Sequence, residues 1–266
     1  VTHLQEDLMH SYSLSDNIIF CIHKDREEGI WLGTKFGGVN YLPNHQLLFE
    51  KYVPSSSESS LNTRRIREIV EVPDGKIWIG TEDNGINILD PETGEVKQLQ
   101  YPAAERKNHL MTHSMTTHNN HLYCGLFKQG FDIIDLSTQS IKHYSPKSLN
   151  IDEESVYALL VDSKGQTWLG NGWGLYLAKP GTLDFKKINE VGLDWIFHIM
   201  EDSKGRIWIA SMGSGIWKFT PNDHSFKKYN HEPKDSTSLS SNSVSSSMED
   251  SKGQIWLSTD RGGICR

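Results

Sequence analysis

Residues 203–219 read SKGRIWIASMGSGIWKF, which holds a Lys-Gly turn, a short apolar strand around Trp208, a Gly-rich turn and a second strand. The same order recurs five more times. It appears as REEGIWLGTKFGGVNYL at 26–42, PDGKIWIGTEDNGINIL at 73–89, HNNHLYCGLFKQGFDII at 118–134, SKGQTWLGNGWGLYLAK at 163–179 and SKGQIWLSTDRGGICR at 251–266. The aromatic anchors are Trp31, Trp78, Tyr123, Trp168, Trp208 and Trp256, spaced 47, 45, 45, 40 and 48 residues apart. A period of this length in a strand-rich sequence is that of a four-stranded propeller blade. The fold class is therefore all-β, a β-propeller of about six visible four-stranded blades.

Working outward from the anchor, each repeat divides into four strands. The first runs to an acidic residue, as in Val156–Asp162, Ile196–Asp202 and Val244–Asp250. The second carries the anchor and the third follows a glycine. The fourth is short and often ends in Tyr, as in Phe49–Tyr52, Ile141–Tyr144 and Phe226–Tyr229. The Asp-Ser-Lys-Gly turns at 162–165, 202–205 and 250–253 suit Gly at positive φ and an Asp bonded to its own turn. In the third repeat Asn120 takes the Gly position, as the residue next most tolerant of that conformation. Cys124 takes the aliphatic slot beside its anchor and reads as core. The repeats run over about 15–52, 62–101, 109–144, 154–188, 194–229 and 242–266, in one propeller domain. Val1–Leu4 resembles a fourth strand that would complete the last repeat. A whole six-bladed ring and a piece of a seven-bladed or tandem propeller both remain open.

Composition narrows the function. The 266 residues carry a formal net charge of −7, which argues against a general nucleic-acid binder. Hydrophobic residues at 36% can supply a packed core, yet no apolar run approaches the roughly 20 residues of a membrane helix. Three cysteines without metal spacing make neither a disulfide framework nor a zinc site. The start VTHLQEDLMH carries no signal-peptide pattern and no initiator Met, as expected of a mature form or an excised piece.

The pattern Asn-x-Val/Ile, Glu-Asp-x-x-Gly-x-Ile-Trp-Ile-Gly-Thr, Gly-Gly-Ile/Val and Phe-x-x-Tyr resembles the blade of the two-component regulator propeller family. It is fullest at Asn17–Tyr41, Ile196–Tyr229 and Asn242–Gly263, and weakest around Tyr123. The resemblance implies the periplasmic sensor portion of a hybrid histidine kinase of the Bacteroidetes type. It further implies an oligosaccharide ligand, a homodimeric ectodomain, and a β-sandwich, membrane helix and kinase in sequence beyond this chain. It implies no cofactor and no catalysis by the propeller.

If the first strand of each blade is innermost, the segment leading into it and the turn between second and third strands share one face. Loops on a rigid scaffold are where binding residues collect. Fourteen residues before the anchors stand Asn17, Arg64, His109, Glu154, Asp194 and Asn242, and the next position adds Arg65 and Trp195. The residues that depart from the small or polar norm at this face are Lys35, Arg64, Arg65, Arg67, Lys128, Trp173, Trp195 and Arg261. They are the candidate ligand-binding set. Guanidinium and ammonium groups suit carboxylate or sulfate, and indole rings stack on sugars. Against this stands a solvated basic face in which Arg64, Arg65 and Arg67 pair with Glu68, Glu71 or Glu82. Trp173 and Trp195 can equally serve blade packing, and the recurring anchor tryptophans are core.

Catalytic signatures such as Gly-x-Ser-x-Gly or His-Glu-x-x-His are absent from the sequence. Among the 12 histidines, His118 and His121 flank a turn on the opposite face from His109, which does not converge on a metal. The phrase Asp-Gly-Lys-Ile-Trp-Ile also resembles propeller lyases that open cyclic depsipeptides with a metal and a His base. For that alternative the candidates are His198, Glu68 and His113, placed to point inward at similar depth. A protein–protein scaffold, with propeller faces as docking surfaces, is the remaining alternative.

Overall fold

The computed structural model describes residues 5–6, 13–42, 51–55, 59–102, 107, 109–192 and 194–266. They form six antiparallel sheets, each a simple meander in chain order. The first holds β1 (Ile19–Lys24), β2 (Ile30–Thr34) and β3 (Val39–Leu42). The second holds β4 (Ile66–Glu71), β5 (Ile77–Thr81), β6 (Ile86–Leu89) and β7 (Val96–Gln98). The third holds β8 (Thr112–His118), β9 (His121–Leu126), β10 (Gly130–Asp135) and β11 (Ile141–Tyr144). A one-turn helix α1 (Pro146–Leu149) leads to the fourth: β12 (Ala158–Val161), β13 (Thr167–Asn171), β14 (Gly174–Ala178) and β15 (Lys186–Ile188). The fifth holds β16 (Ile196–Glu201), β17 (Ile207–Ser211), β18 (Gly215–Thr220) and β19 (Ser225–Tyr229). The sixth holds β20 (Val244–Glu249), β21 (Ile255–Thr259) and β22 (Gly263–Cys265). This is a β-propeller fold. The chain falls into two compact units, Val1–Leu61 with the first sheet and Asn62–Arg266 with the other five.

The turns between first and second strands are built as their residues dictate. Gly75, Gly165, Gly205 and Gly253 lie at φ between 70° and 82°, and Asn120 at 62° replaces glycine in the third sheet. Asp162 Oδ1 accepts from the backbone N–H groups of Lys164 (3.0 Å) and Gln166 (2.8 Å), while its Oδ2 accepts from Trp168 Nε1 at 2.8 Å. Asp202 with Trp208 and Asp250 with Trp256 repeat the clamp at 2.8 Å. In the first unit Asp25 and Trp31 do the same at 2.8 Å. The anchor indole thus ties the outer face of the second strand to the turn that precedes it.

In the second unit the core lies in the seams between neighbouring sheets. Trp78, Ile86 and Ile88 meet Leu122 and Cys124 across the second and third sheets. Phe131 meets Leu159, Leu169 and Tyr176 across the next seam, and Trp168 and Leu175 meet Ile199 and Ile209 beyond it. Burying such side chains is worth roughly 1.5–3 kcal/mol each, so the seams hold the sheets together. The seams are also clipped at the rim. Glu201 takes both the N–H (2.7 Å) and the hydroxyl (2.6 Å) of Ser163, and Glu249 takes those of Ser203 at 2.6 and 2.8 Å.

The first strands are innermost in this unit, since β4 meets β8, β8 meets β12, β12 meets β16 and β16 meets β20. Three sequence expectations are modified. Among the described residues the first and sixth sheets show three strands each. Lys51 and Tyr52 lie outside any strand, whereas Phe49, Glu50 and the Val1–Leu4 segment fall outside the described residues. The first strand of the fourth sheet is only Ala158–Val161. Trp31, expected in the core with the other anchors, is 41% exposed. Within its own sheet it packs on Tyr41, with ring centroids 4.4 Å apart, so only one side of the indole is covered.

Candidate functional site

The predicted common face exists as a set of hydrogen bonds. The second-to-third-strand turn donates to the segment leading into the first strand at Glu82 N to Arg65 O (3.0 Å), Phe127 N to Met111 O (3.0 Å), Met212 N to Trp195 O (2.9 Å) and Asp260 N to Ser243 O (2.8 Å). Lys35 N to Ile18 O (3.0 Å) is the equivalent bond within the first unit. The same turns reach the following sheet, through Gly85 N to Leu110 O (2.8 Å), Gly130 N to Glu154 O (3.0 Å) and Gly215 N to Asn242 O (2.7 Å). The turns of the second, third and fifth sheets are therefore fixed on two sides, which gives this part of the loop face the rigidity a binding site needs.

A feature of the innermost strands concentrates side chains at this end. β4, β8, β16 and β20 each break register against the second strand, between Ile66 and Glu68, Thr112 and Ser114, Ile196 and His198, and Val244 and Ser246. The extra residues are Arg67, His113, Phe197 and Ser245. A β-bulge re-aims its residue out of the alternating pattern. In the fourth sheet Tyr157, just before β12, occupies the matching place and donates its N–H to Gly170 O at 2.9 Å.

Arg67, His113, Tyr157 and Phe197 meet in one row. The Tyr157 and Phe197 rings stack, 5.6 Å apart and 8° from parallel. Trp195 stands edge-on to both, at 5.4 Å from Tyr157 and 5.3 Å from Phe197. Arg67 places its guanidinium carbon 5.1 Å from the Phe197 ring centre. On the other side His113 lies 5.0 Å from Tyr157 and stacks on Phe127 at 5.4 Å, and the Lys128 ammonium sits 5.2 Å from that same Phe127 ring. Cation–ring and ring–ring contacts of this kind contribute roughly 0.5–1.5 kcal/mol apiece. Burial, with the Arg67 charge adding to it, lowers the His113 imidazole to about 4, so it is neutral at pH 7.

Of the eight candidates, the structure gathers Arg67, Lys128 and Trp195 into this row. Arg64 and Arg65 are exposed beside it, with Arg65 Nε 4.0 Å from Asp83 and Arg67 Nη1 3.9 Å from Glu82. Trp173 is 52% exposed on the turn of the fourth sheet, where Glu153 accepts the N–H of Gly172 at 2.5 Å. Arg261 is 93% exposed, with its Nε 3.8 Å from Asp260. Lys35 belongs to the first unit and covers its neighbour Phe36 there. His113 was singled out for a lyase only, and Phe127, Tyr157 and Phe197 were missed. The signal was present, because the position eleven before the anchor reads Arg67, Tyr157 and Phe197 in three repeats, but strand alternation hides a bulge.

The position fourteen before the anchor is not a uniform face position, contrary to expectation. His109 is 1% exposed, and Asp194 is buried with its Oδ2 accepting from Trp217 Nε1 at 3.4 Å. His109 Nδ1 and His143 Nδ1 both bond Asp132, at 2.5 and 2.8 Å. Among the described residues these three form the group whose donor atoms, within 4.8 Å of one another, could hold a metal ion. The second sheet makes the same contact with neutral groups, Asn87 Nδ2 donating to Asn62 Oδ1 at 2.9 Å. The cluster is thus the third sheet's form of a repeated fastening between the leading segment and the third strand.

Glu68, His113 and His198 do not converge on one point among the described residues. His198 Nδ1 is 3.0 Å from the Ser247 hydroxyl, and burial lowers its imidazole to about 4. Burial raises Glu68 to about 7 despite the N–H of Ile69 and the Arg67 charge.

Known proteins bear on these repeats. The family described as two component regulator propeller matches at residues 13–36, 60–83, 191–213 and 238–261, the runs that end at the loop-face turns of the first, second, fifth and sixth sheets. A histidine kinase P4 of Formosa agariphila is 25% identical over 188 residues, which is 67% of this chain and 13% of that protein. The extracellular domain assigned to a hybrid two component system of B. thetaiotaomicron is 25% identical with a TM-score of 0.68. That match covers 99% of this chain and 35% of the domain, so the chain spans about a third of its relative. Virginiamycin B lyase from Staphylococcus aureus, 12% identical with a TM-score of 0.56 over 93% of this chain and 83% of the enzyme, shares the fold alone. The anchor register, the repeated turn clamps and these matches agree: four of the six repeats match the two component regulator propeller family, and the chain as a whole is similar to its sensor proteins.

Proposed function

We propose that this chain is a ligand-sensing, extracytoplasmic module of a two-component sensor, in the periplasm, and that its ligand is an oligosaccharide with anionic ones favoured. The observation that carries the reading is the loop face, where the exposed Arg64 and Arg65, Lys128 and the half-exposed Trp195 stand on segments held by turn-to-strand hydrogen bonds. The resemblance to extracellular sensor domains supports the compartment. Cations there attract an anionic ligand and supply charge-assisted hydrogen bonds, while the indole offers an apolar face. Signalling follows by population shift: a ligand that binds one arrangement of a dimeric ectodomain more tightly moves the equilibrium by that difference in affinity. The propeller itself carries out no reaction in this reading.

The test is a thermal-shift screen of the chain against neutral, uronic-acid and sulfated oligosaccharides at low and high salt. A ligand that binds only the folded state raises Tm by mass action. A salt-sensitive rise with one anionic class, lost in Arg64→Ala with Arg65→Ala, is expected. A flat screen from folded protein refutes the reading and transfers weight to a protein-docking role for the same face.

A further inference from the structure

We infer that the row of bulged residues is a specific subsite for a carboxylate borne on a ring with an apolar face, with Arg67 as the carboxylate receptor and Trp195 as the ring's platform. The inference rests on the ligand-sensing reading above and sharpens it. Three observations lead to it. The first is the state of Arg67. Its side chain is 26% exposed, and its closest acid, Glu82, stands 3.9 Å from Nη1, beyond hydrogen-bond distance. The guanidinium is held from one side by the Phe197 ring at 5.1 Å, so its position is fixed while its donor fork is left without a bidentate partner. Such a fork matches a carboxylate in shape and charge.

The second observation is what surrounds that fork. Trp195, Tyr157 and Phe197 make mutual ring contacts at 5.3–5.6 Å, and Trp195 is still 45% exposed. A cation beside a fixed aromatic wall selects a molecule whose anionic group is attached directly to a flat or apolar-faced ring. The third is that His113, next in the row, is neutral and has a buried Nδ1 without a hydrogen-bond partner. As a neutral ring packed 5.0 Å from Tyr157, it extends the aromatic wall without adding a second charge beside Arg67. The loosely held Glu82 marks where the ligand's carboxylate goes, because the site already tolerates a carboxylate there. Binding then exchanges an internal acid for an external one. Glu82 sits on a turn whose N–H is bonded to Arg65 O, so the exchange acts on the loop face directly.

Two sources supply this chemistry, a hexuronate at the end of an oligosaccharide and an aromatic acid. The experiment measures binding of trigalacturonate and of 4-hydroxybenzoate to the chain by calorimetry, each against its methyl ester. At least one acid is expected to bind, with its ester at least tenfold weaker, and the one that binds identifies the source. Arg67→Lys, which keeps the charge and loses the fork, is expected to weaken the acid at least tenfold and leave the ester unchanged. Glu82→Gln should tighten the acid several-fold, and Trp195→Ala should weaken acid and ester alike. Melting temperatures of the variants near that of the parent exclude misfolding. Equal binding of acid and ester, or no effect of Arg67→Lys, overturns the inference. If neither acid binds while another oligosaccharide raises Tm in the screen above, the inference falls and the sensor reading stands. If nothing binds in either experiment, both fall.

Discussion

Replacing Asp162 by Asn tests the repeated turn clamp at its most buried copy. Asp162 is 3% exposed and Trp168 1% exposed. One carboxylate oxygen serves the N–H groups of Lys164 and Gln166, and the other serves Trp168 Nε1. An amide has one acceptor oxygen. Whichever way it is turned, its NH2 faces a donor, either the indole or the two turn amides. A buried donor left unpaired costs about 1–3 kcal/mol, and the surviving bond to a neutral oxygen is about half as strong as to a carboxylate. Together these give a loss of about 3 kcal/mol, or roughly 6–12 °C in Tm for a chain of this size. The identical change at Asp250 is the internal control. It has the same partners, Lys252, Gln254 and Trp256, but stands half-buried where water replaces what the amide cannot supply. Scanning calorimetry and urea unfolding of the two variants should therefore rank Asp162→Asn well below Asp250→Asn. In a Trp168→Phe background, where the indole donor is gone, Asp162→Asn should cost clearly less than in the parent. Equal losses at the two positions, or an unchanged cost in the Phe background, would refute the clamp as the source of the anchor's role.

Further outcomes follow from the same geometry. Gly130→Ala should destabilise strongly, since φ is 77° and a Cβ would run into the backbone of Tyr144 and Ser145, whereas Gly181→Ala, at φ 71° with open space, should carry only the modest strain of its backbone; melting temperatures compare them. Glu68 holds its proton up to about pH 7 in the fold against about 4.5 when unfolded, so its contribution is full below pH 4.5 and is lost as pH rises through 7. Glu68→Gln should flatten the stability profile across that window in urea titrations. His198 has the opposite sign: its imidazole is lowered from 6.5 to about 4, so stability is present above pH 6.5 and is lost as pH falls towards 4. His198→Gln should remove that acid-side slope. Ser163→Ala should loosen the rim clip to Glu201 and show as faster amide exchange at the Asp162–Gly165 turn, with little effect on distant sheets.

The repeat exposed most of the fold because its signals are local. Gly205 and Asn120 announce positive φ, Asp202 announces the turn, and Trp208 marks the second strand by its own chemistry. Register along a first strand is less local. A reader counting by twos from Ile196 places Phe197 and His198 on alternate faces and moves on, but one residue of slip at the bulge turns Phe197 towards Arg67. For the same reason counting back from the anchor gave a false equivalence at His109, which Asp132 draws into the interior. The candidate cations were legible as departures from the repeat. Which of them meets an aromatic partner was not, since that depends on side chains brought together from the second and fifth sheets, 130 residues apart in sequence.

That separation is itself informative. Within the second unit the Ser–Glu clip recurs in two seams between consecutive sheets, whereas Arg67 and Phe197 join sheets that are not sequence neighbours and have no counterpart among the recurring clamps and clips. A contact that maintains the architecture should repeat with it, as the Asp–Trp and Ser–Glu contacts do. A contact built once, from a position that reads Arg67, Tyr157 and Phe197 in the second, fourth and fifth repeats, owes nothing to the needs of the blade. Arg67, Tyr157 and Phe197 satisfy that criterion, and Arg261, beside Asp260 on its turn, does not. The unequal repeats thus single out the bulged row, rather than the most exposed cations, as the place where the proposed ligand would be told apart.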